Sequence, residues 1–166
     1  DYGLGPVLLD SWTTSPDGLT WTFKIRDGVK FHDGTSLTTK EVIGTLNRQK
    51  EAAPVLRLVW KEFGPPDFAE FVRADDNLTF SIRLKEPTGL VLTALGPQNF
   101  WPQIVTKPWY TVPQGQSAPG APIGTGPYKF EAWTPGDRWS AVRYDDYKPS
   151  PAPTDGQAGK HVAYID

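Results

Sequence analysis

The sequence predicts an α+β protein built on antiparallel β-hairpins with a few short helices. Three observations carry that prediction. Three runs alternate apolar and polar residues, and each adjoins a turn motif. One amphipathic stretch begins with a capping box. Gly (16) and Pro (17) fall at the boundaries of these runs and make up about a fifth of the 166 residues, against roughly 12% in average usage. The chain is 38% hydrophobic and 13% aromatic, enough to bury a core, so the Gly and Pro read as turns rather than disorder.

The elements follow in chain order. Leu8-Leu9-Asp10-Ser11-Trp12 leads into the turn Ser15-Pro16-Asp17-Gly18, where Pro presets φ and Gly closes the turn. Residues 20–26 then alternate strictly, with Trp21, Phe23 and Ile25 on one face and Thr22, Lys24 and Arg26 on the other. Asp27-Gly28 and Asp33-Gly34 punctuate the next stretch. Thr38 stands three residues before Glu41, the spacing of a capping box, flanked by Leu37 and Val42 at the staple positions. Val42, Ile43 and Leu46 form a stripe, which predicts a helix over Thr39–Gln49. Residues 55–60 fit a short helix or a short strand, ended by Gly64-Pro65-Pro66. A second hairpin is expected from residues 68–74, the turn Asp75-Asp76-Asn77 and the alternating Leu78, Phe80, Ile82 and Leu84, with Pro87 stopping the strand. Thr88 is placed to cap a short helix ending at Leu95. Residues 96–110 read as a ring-rich loop and 111–122 as a Pro/Gly/Ser loop. A third hairpin spans residues 128–144 around Thr134-Pro135-Gly136-Asp137, before a second Pro-rich loop at 148–159.

Composition excludes several classes. The glycines lack the period of collagen, and no apolar run approaches the roughly 20 residues of a membrane-spanning helix. Net charge is −2 with no basic block, so no nucleic-acid footprint is present. Cys is absent, which removes disulfides, thiolate metal sites and a cysteine nucleophile, and is neutral on compartment. Met is absent as well. The chain opens at Asp1 with no leader ahead of it, which predicts a processed chain or an excised piece of a longer protein.

A search for reacting groups finds little. His32 and His161 are the two histidines, and neither belongs to a metal-binding motif. His32, at a turn, reads as a structural hydrogen-bonding residue. Asp75-Asp76 and Asp145-Asp146 lie at turns, where adjacent carboxylates point apart and make no acid/base pair. Gly124-Thr125-Gly126 is no phosphate cradle, because Pro127 removes a donor and no Lys-Ser/Thr follows. The tryptophans remain. Trp21, Trp133 and Trp139 on alternating strands are expected in the core, while Trp60, Trp101 and Trp109 in irregular segments are candidates for contact with a solute.

The order of motifs resembles one family. Ser11-Trp12, then the unbroken run from Asp17-Gly18-Leu19-Thr20-Trp21 to Phe31-His32-Asp33-Gly34-Thr35, is similar to the signature of the extracellular solute-binding proteins of family 5, the peptide/nickel-type receptors of bacterial ABC importers. Leu37-Thr38-Thr39-Lys40-Glu41-Val42, Asp76-Asn77-Leu78-Thr79-Phe80, Leu84-Lys85-Glu86-Pro87, Ile104-Val105-Thr106-Lys107 and Pro122-Ile123-Gly124-Thr125-Gly126-Pro127-Tyr128-Lys129-Phe130 follow in the family's order, as do Trp133 and Pro135-Gly136-Asp137. Asp146-Tyr147 sits where the family has a Tyr-Trp pair, with Lys148 in place of the Trp.

The resemblance implies a subdomain of a two-lobed, type II periplasmic-binding-protein fold. Residues 1–122 would form the small N-terminal subdomain and residues 123–166 the incomplete strands returning to the first large lobe. It implies a non-enzymatic capture protein with no cofactor and no metal site. The protein would take a peptide or other small solute between lobes, deliver it to a membrane permease, and be periplasmic or exported and lipid-anchored. By analogy, Leu58 and Trp60 are ligand-cleft candidates; Gln98, Asn99, Phe100 and Trp101 are candidates on their chemistry alone. Gly124, Gly126 and Tyr128 are the hinge or fold-motif residues, and Gly126→Val is expected to damage folding or closure. The strands after Ile123 are expected to expose apolar edges that favour a dimer or strand exchange. The competing reading is a carbohydrate-binding module of a secreted enzyme, which predicts a flat row of exposed tryptophans. A hydrolase would need a nucleophile or carboxylate dyad that the sequence lacks.

Overall fold

The first hairpin sets the sheet. In this computed structural model, which describes residues 8–95, 107–112 and 120–148, β1 (Leu9–Thr14) pairs antiparallel with β2 (Thr20–Ile25), with a bulge between Leu9 and Ser11. The turn between them closes on Ser15, whose hydroxyl accepts the Thr20 N–H, and on Gly18 at φ +73°. The other edge of β2 pairs with β4 (Thr79–Arg83), so Trp21 lies opposite Ile82 and Phe23 opposite Phe80. The Phe23 and Phe80 rings stack at 5.0 Å. β3 (Val72–Ala74) completes a four-stranded antiparallel sheet in the order β1-β2-β4-β3.

Helices cover this sheet. α1 (Thr39–Gln49) begins at Thr38, whose backbone N–H donates to Glu41 Oε2 at 3.1 Å and whose hydroxyl donates to the same oxygen. Its buried stripe holds Val42, Thr45 and Leu46. Residues 55–60, open between helix and strand in the sequence, are helical. α2 (Pro54–Leu58) starts on a proline, whose missing N–H costs nothing in the first turn, and continues into a π-helical turn, Val59–Phe63.

The second hairpin departs from expectation. Residues 68–71 are not strand but one helical turn, α3 (Phe68–Phe71), leaving only three residues for β3. Asp67 decides this: its carboxylate accepts the Ala69 N–H at 2.9 Å, which starts a helix. The three-residue spacing then sends Phe68 and Phe71 into the core together. α4 (Leu90–Leu95) follows with the Leu90 N–H on the Thr88 hydroxyl, and α5 (Lys107–Tyr110) is a short turn against α1. One continuous core joins Phe23, Ile25, Phe31, Leu46, Leu56, Val59, Phe71, Phe80, Ile82 and Val91. The α+β expectation holds.

β5 (Tyr128–Thr134) and β6 (Arg138–Arg143) form a separate two-stranded sheet with a bulge between Phe130 and Ala132. Here the expectation for Trp133 and Trp139 is corrected. They are cross-strand partners, and both are exposed, at 65% and 61%. The alternation is real, but the hairpin does not join the four-stranded sheet, and no described element covers that face. Trp21, by contrast, is half-buried against the core.

Candidate functional site

A polar junction joins the N-terminal unit to the chain that returns after Ile123. The loop Phe31-His32-Asp33-Gly34 is held by Asp33, whose carboxylate accepts the Thr35 N–H at 3.0 Å and the Thr35 hydroxyl at 2.6 Å. Gly34 sits at φ +84°, in the left-handed region that favours glycine. This loop presents His32 to the incoming strand. The His32 N–H donates to the Gly124 carbonyl at 2.9 Å, the Gly124 N–H donates to Nδ1 at 3.3 Å, and Nε2 lies 3.0 Å from the Gly126 carbonyl. Because Nδ1 accepts, this network assigns the ring proton to Nε2, which donates to Gly126.

Tyr144, just past β6, completes the junction. Its ring meets the His32 ring edge-on at 5.2 Å, its hydroxyl donates to the Phe31 carbonyl at 2.8 Å, and its N–H donates to the Pro127 carbonyl. Burial, and then the nearby Asp146 and Asp33 carboxylates, push the Tyr144 hydroxyl pKa above its ordinary value. Arg26 Nη2 donates to the Lys148 carbonyl at 2.7 Å, a third tie across the same boundary.

His32 thus has the structural role its position suggested. Neither Gly124 nor Gly126 has a left-handed φ. A Cβ at Gly124 would make ordinary contact with His32 at 3.8 Å, and one at Gly126 would meet nothing within 4 Å. Their backbone groups, not their lack of a side chain, engage His32, and a Cβ at Gly126 alone would find open space. Tyr128 is 41% exposed. Tyr144 is the tyrosine buried in the junction, and sequence reasoning passed over it. The signal was a polar-tipped ring at the end of a strand, but its partner lies 113 residues away.

The cleft candidates separate in space. Leu58 is 45% exposed at the end of α2, and Leu90 at the start of α4 is also exposed. Trp60 instead turns into the core. Its indole N–H donates to the Pro65 carbonyl at 3.1 Å, Phe68 meets it edge-on at 5.0 Å, and the Lys61 ammonium lies 3.7 Å from the ring centre. Its ring therefore presents no face to an open cleft. Gln98, Asn99, Phe100 and Trp101 lie outside the described residues, so the structure does not bring them together with Leu58.

The sequence did not reveal an open groove of about 690 Å³ between α1, the β3–β4 turn and α5, lined in part by Lys40, Ile43, Gly44, Asp75, Asp76 and Tyr110. Gly44 is needed there, since a Cβ would sit 2.6 Å from the Tyr110 ring. Burial, and then Glu41, raise the Tyr110 hydroxyl pKa. Asp76 caps the turn by accepting the Leu78 and Thr79 N–H groups at 2.7 and 2.8 Å, and the Leu78 bond, followed by the Thr79 side chain, holds its carboxyl below the usual range. Among the described residues no three His, Asp or Glu side chains gather as a metal cluster would.

A small sheet-and-helix unit, tied by buried polar contacts to a returning hairpin, matches part of a two-lobed periplasmic binding protein. The comparisons make the assignment specific. The profile of the bacterial extracellular solute-binding proteins, family 5 Middle, matches residues 3–166, and the chain belongs to that family. It is 30% identical over 163 residues to the Sinorhizobium fredii protein named "Probable peptide ABC transporter periplasmic-binding protein y4tO", covering 97% of this chain and 29% of the relative. It is 33% identical over 147 residues to the glutathione-binding protein GsiB of Pectobacterium atrosepticum, covering 89% and 27%. The solved structure of the periplasmic binding protein AgaA from A. tumefaciens R10, in complex with agropinic acid, superposes with a TM-score of 0.64 at 28% identity, over 86% of this chain and 27% of that one. The chain spans under a third of the length of these proteins.

Proposed function

We infer that the protein to which these residues belong is the solute-capture component of an ABC importer. It binds a peptide or other small solute between two lobes and presents it to a membrane permease. The observation that carries the reading is family membership over nearly the whole chain, together with relatives named for binding peptide and glutathione. Capture of this kind requires no nucleophile and no acid/base pair. It needs a cleft whose closed state is stabilised by the ligand. In this reading residues 1–122 are the small N-terminal subdomain and 123–166 the strands that return to the first large lobe. The His32–Tyr144 junction supports a boundary there, because it is where the two segments are bonded together. The protein is exported, periplasmic or lipid-anchored, consistent with the periplasmic relative.

Leu58 is the described cleft candidate with an exposed apolar side chain, and Gln98, Asn99, Phe100 and Trp101 remain candidates with it. The carbohydrate-binding-module reading gains two adjacent exposed tryptophans but no support from the comparisons. The Trp133–Trp139 face also supports association of the 166-residue chain into dimers. Light scattering should show concentration-dependent association that W133S/W139S abolishes; a strictly monomeric chain would refute it.

The decisive experiment is calorimetry of short peptides, glutathione and agropinic acid against a full-length protein carrying this sequence and against the 166-residue chain. The expected result is binding of one solute class by the full-length protein and none by the short chain. Micromolar binding by the short chain would overturn a cleft shared between lobes. No binding by the full-length protein would overturn the solute classes named.

A further inference from the structure

The geometry points to His32 as a proton-operated latch that fastens the returning segment, residues 120–148, onto the N-terminal unit while its ring is neutral and loosens it when the ring takes a second proton. The latch is independent of which solute is bound. It follows from the assignment of donors and acceptors. The docked arrangement uses His32 as a donor at Nε2, toward Gly126, and as an acceptor at Nδ1, from Gly124. An imidazolium is a donor at both nitrogens. Protonation would set the new Nδ1–H against the Gly124 N–H across 3.3 Å, converting an attractive contact into a repulsive one. The Nε2 bond to Gly126 would survive, but Gly124 would have to move, and with it the backbone pair from the His32 N–H to the Gly124 carbonyl. His32 is half-buried and edge-on to Tyr144, so the ring cannot simply rotate away without breaking that contact.

The charged and titratable groups around the ring come from both sides. Its own loop supplies Lys30 and Asp33. The returning segment supplies Tyr144, the Asp146 carboxylate that acts on it, and the exposed Arg143–Asp145 ion pair at 3.4 Å, and no charged residue between 120 and 127. Asp33 and Asp146 both act on Tyr144. The other ties, Tyr144 to Phe31 and Arg26 to Lys148, involve no histidine ring, the side chain that changes charge between roughly pH 5 and 8. They would keep the loosened segment tethered rather than detached. An exported receptor meets the pH of its surroundings directly, so such a latch would couple mobility at this boundary to external acidity.

The test is residue-resolved hydrogen exchange on the full 166-residue chain between pH 8 and 5, read as protection factors and referenced to amides paired between β2 and β4. In the wild type, protection at Gly124 and across β5–β6 should fall at least tenfold relative to that reference. In H32Q, whose amide cannot titrate, relative protection should stay flat at whatever level it starts. H161Q should keep the wild-type dependence, since it leaves the latch intact. A fall of equal size in H32Q, or no fall in the wild type, overturns the proposal. If H32Q does not fold, the wild type alone decides. The Gly124 amide shift should titrate with the midpoint of the His32 Cε1 proton, and an amide that does not follow it overturns the latch.

Discussion

The Tyr144 hydroxyl donates to the carbonyl of Phe31 at 2.8 Å, joining the end of β6 to the loop before α1. Phe31 is fully buried and Tyr144 nearly so. Y144F should therefore destabilise the fold, by an amount bounded from the geometry. The Phe31 carbonyl also accepts the Gly34 N–H, so it is not left orphaned. The expected cost is that of one net hydrogen bond, about 0.5–1.5 kcal/mol, measured by urea unfolding. Because the folded-state pKa of Tyr144 is raised, its contribution is fully present below the unfolded tyrosine pKa and lost as pH rises through the folded one. The alkaline limb of wild-type stability should therefore be steeper than that of Y144F. Equal limbs would refute the assignment.

The capping box makes a second prediction. T38A and E41A each remove part of one arrangement, since Glu41 Oε2 accepts both the backbone N–H and the hydroxyl of Thr38. Each should cost about 1 kcal/mol, and the double variant should cost clearly less than their sum, because the first substitution already breaks the shared contact. Additive costs in a double-mutant cycle would show that the two side chains act separately.

Asp76 governs the acid limb. Its carboxylate accepts the Leu78 and Thr79 N–H groups, and its folded pKa is lowered. A depressed carboxylate contributes stability above its unfolded pKa and loses it as pH falls through the folded value. In D76N that titrating contribution disappears, so stability should fall less between neutral pH and pH 3 than in wild type. An unchanged acid limb would show that the turn bonds do not depend on the charge.

Two glycines that look alike in sequence should respond oppositely. At Gly64 a Cβ would sit 2.7 Å from the Trp60 carbonyl oxygen and 2.7 Å from the fully buried Phe71 ring. G64A should cost about 1–3 kcal/mol by overpacking. At Gly126 a Cβ meets nothing, and G126A should stay within about 0.5 kcal/mol of wild type. Thermal unfolding of both variants checks the contrast, and equal losses would contradict it.

Much of the local chemistry was readable where partners lie close in sequence. The alternation of Trp21, Phe23 and Ile25, the Thr38–Glu41 box, the Thr88 cap and the Asp33-Gly34 turn all came from residues within a few positions of one another, and the structure contains each. The helix–strand ambiguity at residues 55–60 was real, because a short apolar run has no period long enough to distinguish the two. At residues 68–71 a single cap at Asp67 outweighed the expected strand.

Burial and long-range pairing were decided elsewhere. Trp133 and Trp139 alternate like core residues and lie in solvent, because alternation reports that a strand has two faces and not which face is covered. Trp60, in a segment that reads as irregular, is buried because the π-helical turn rotates its ring onto Phe68. The sequence by itself determined the first and third hairpins, the Thr38 and Thr88 caps and the family, since each is a pattern along the chain. Only the tertiary structure decided that the Gly124–Gly126 carbonyls, His32 and Tyr144 form one junction, because hydrogen bonds between residues about a hundred positions apart leave no periodic trace in the sequence.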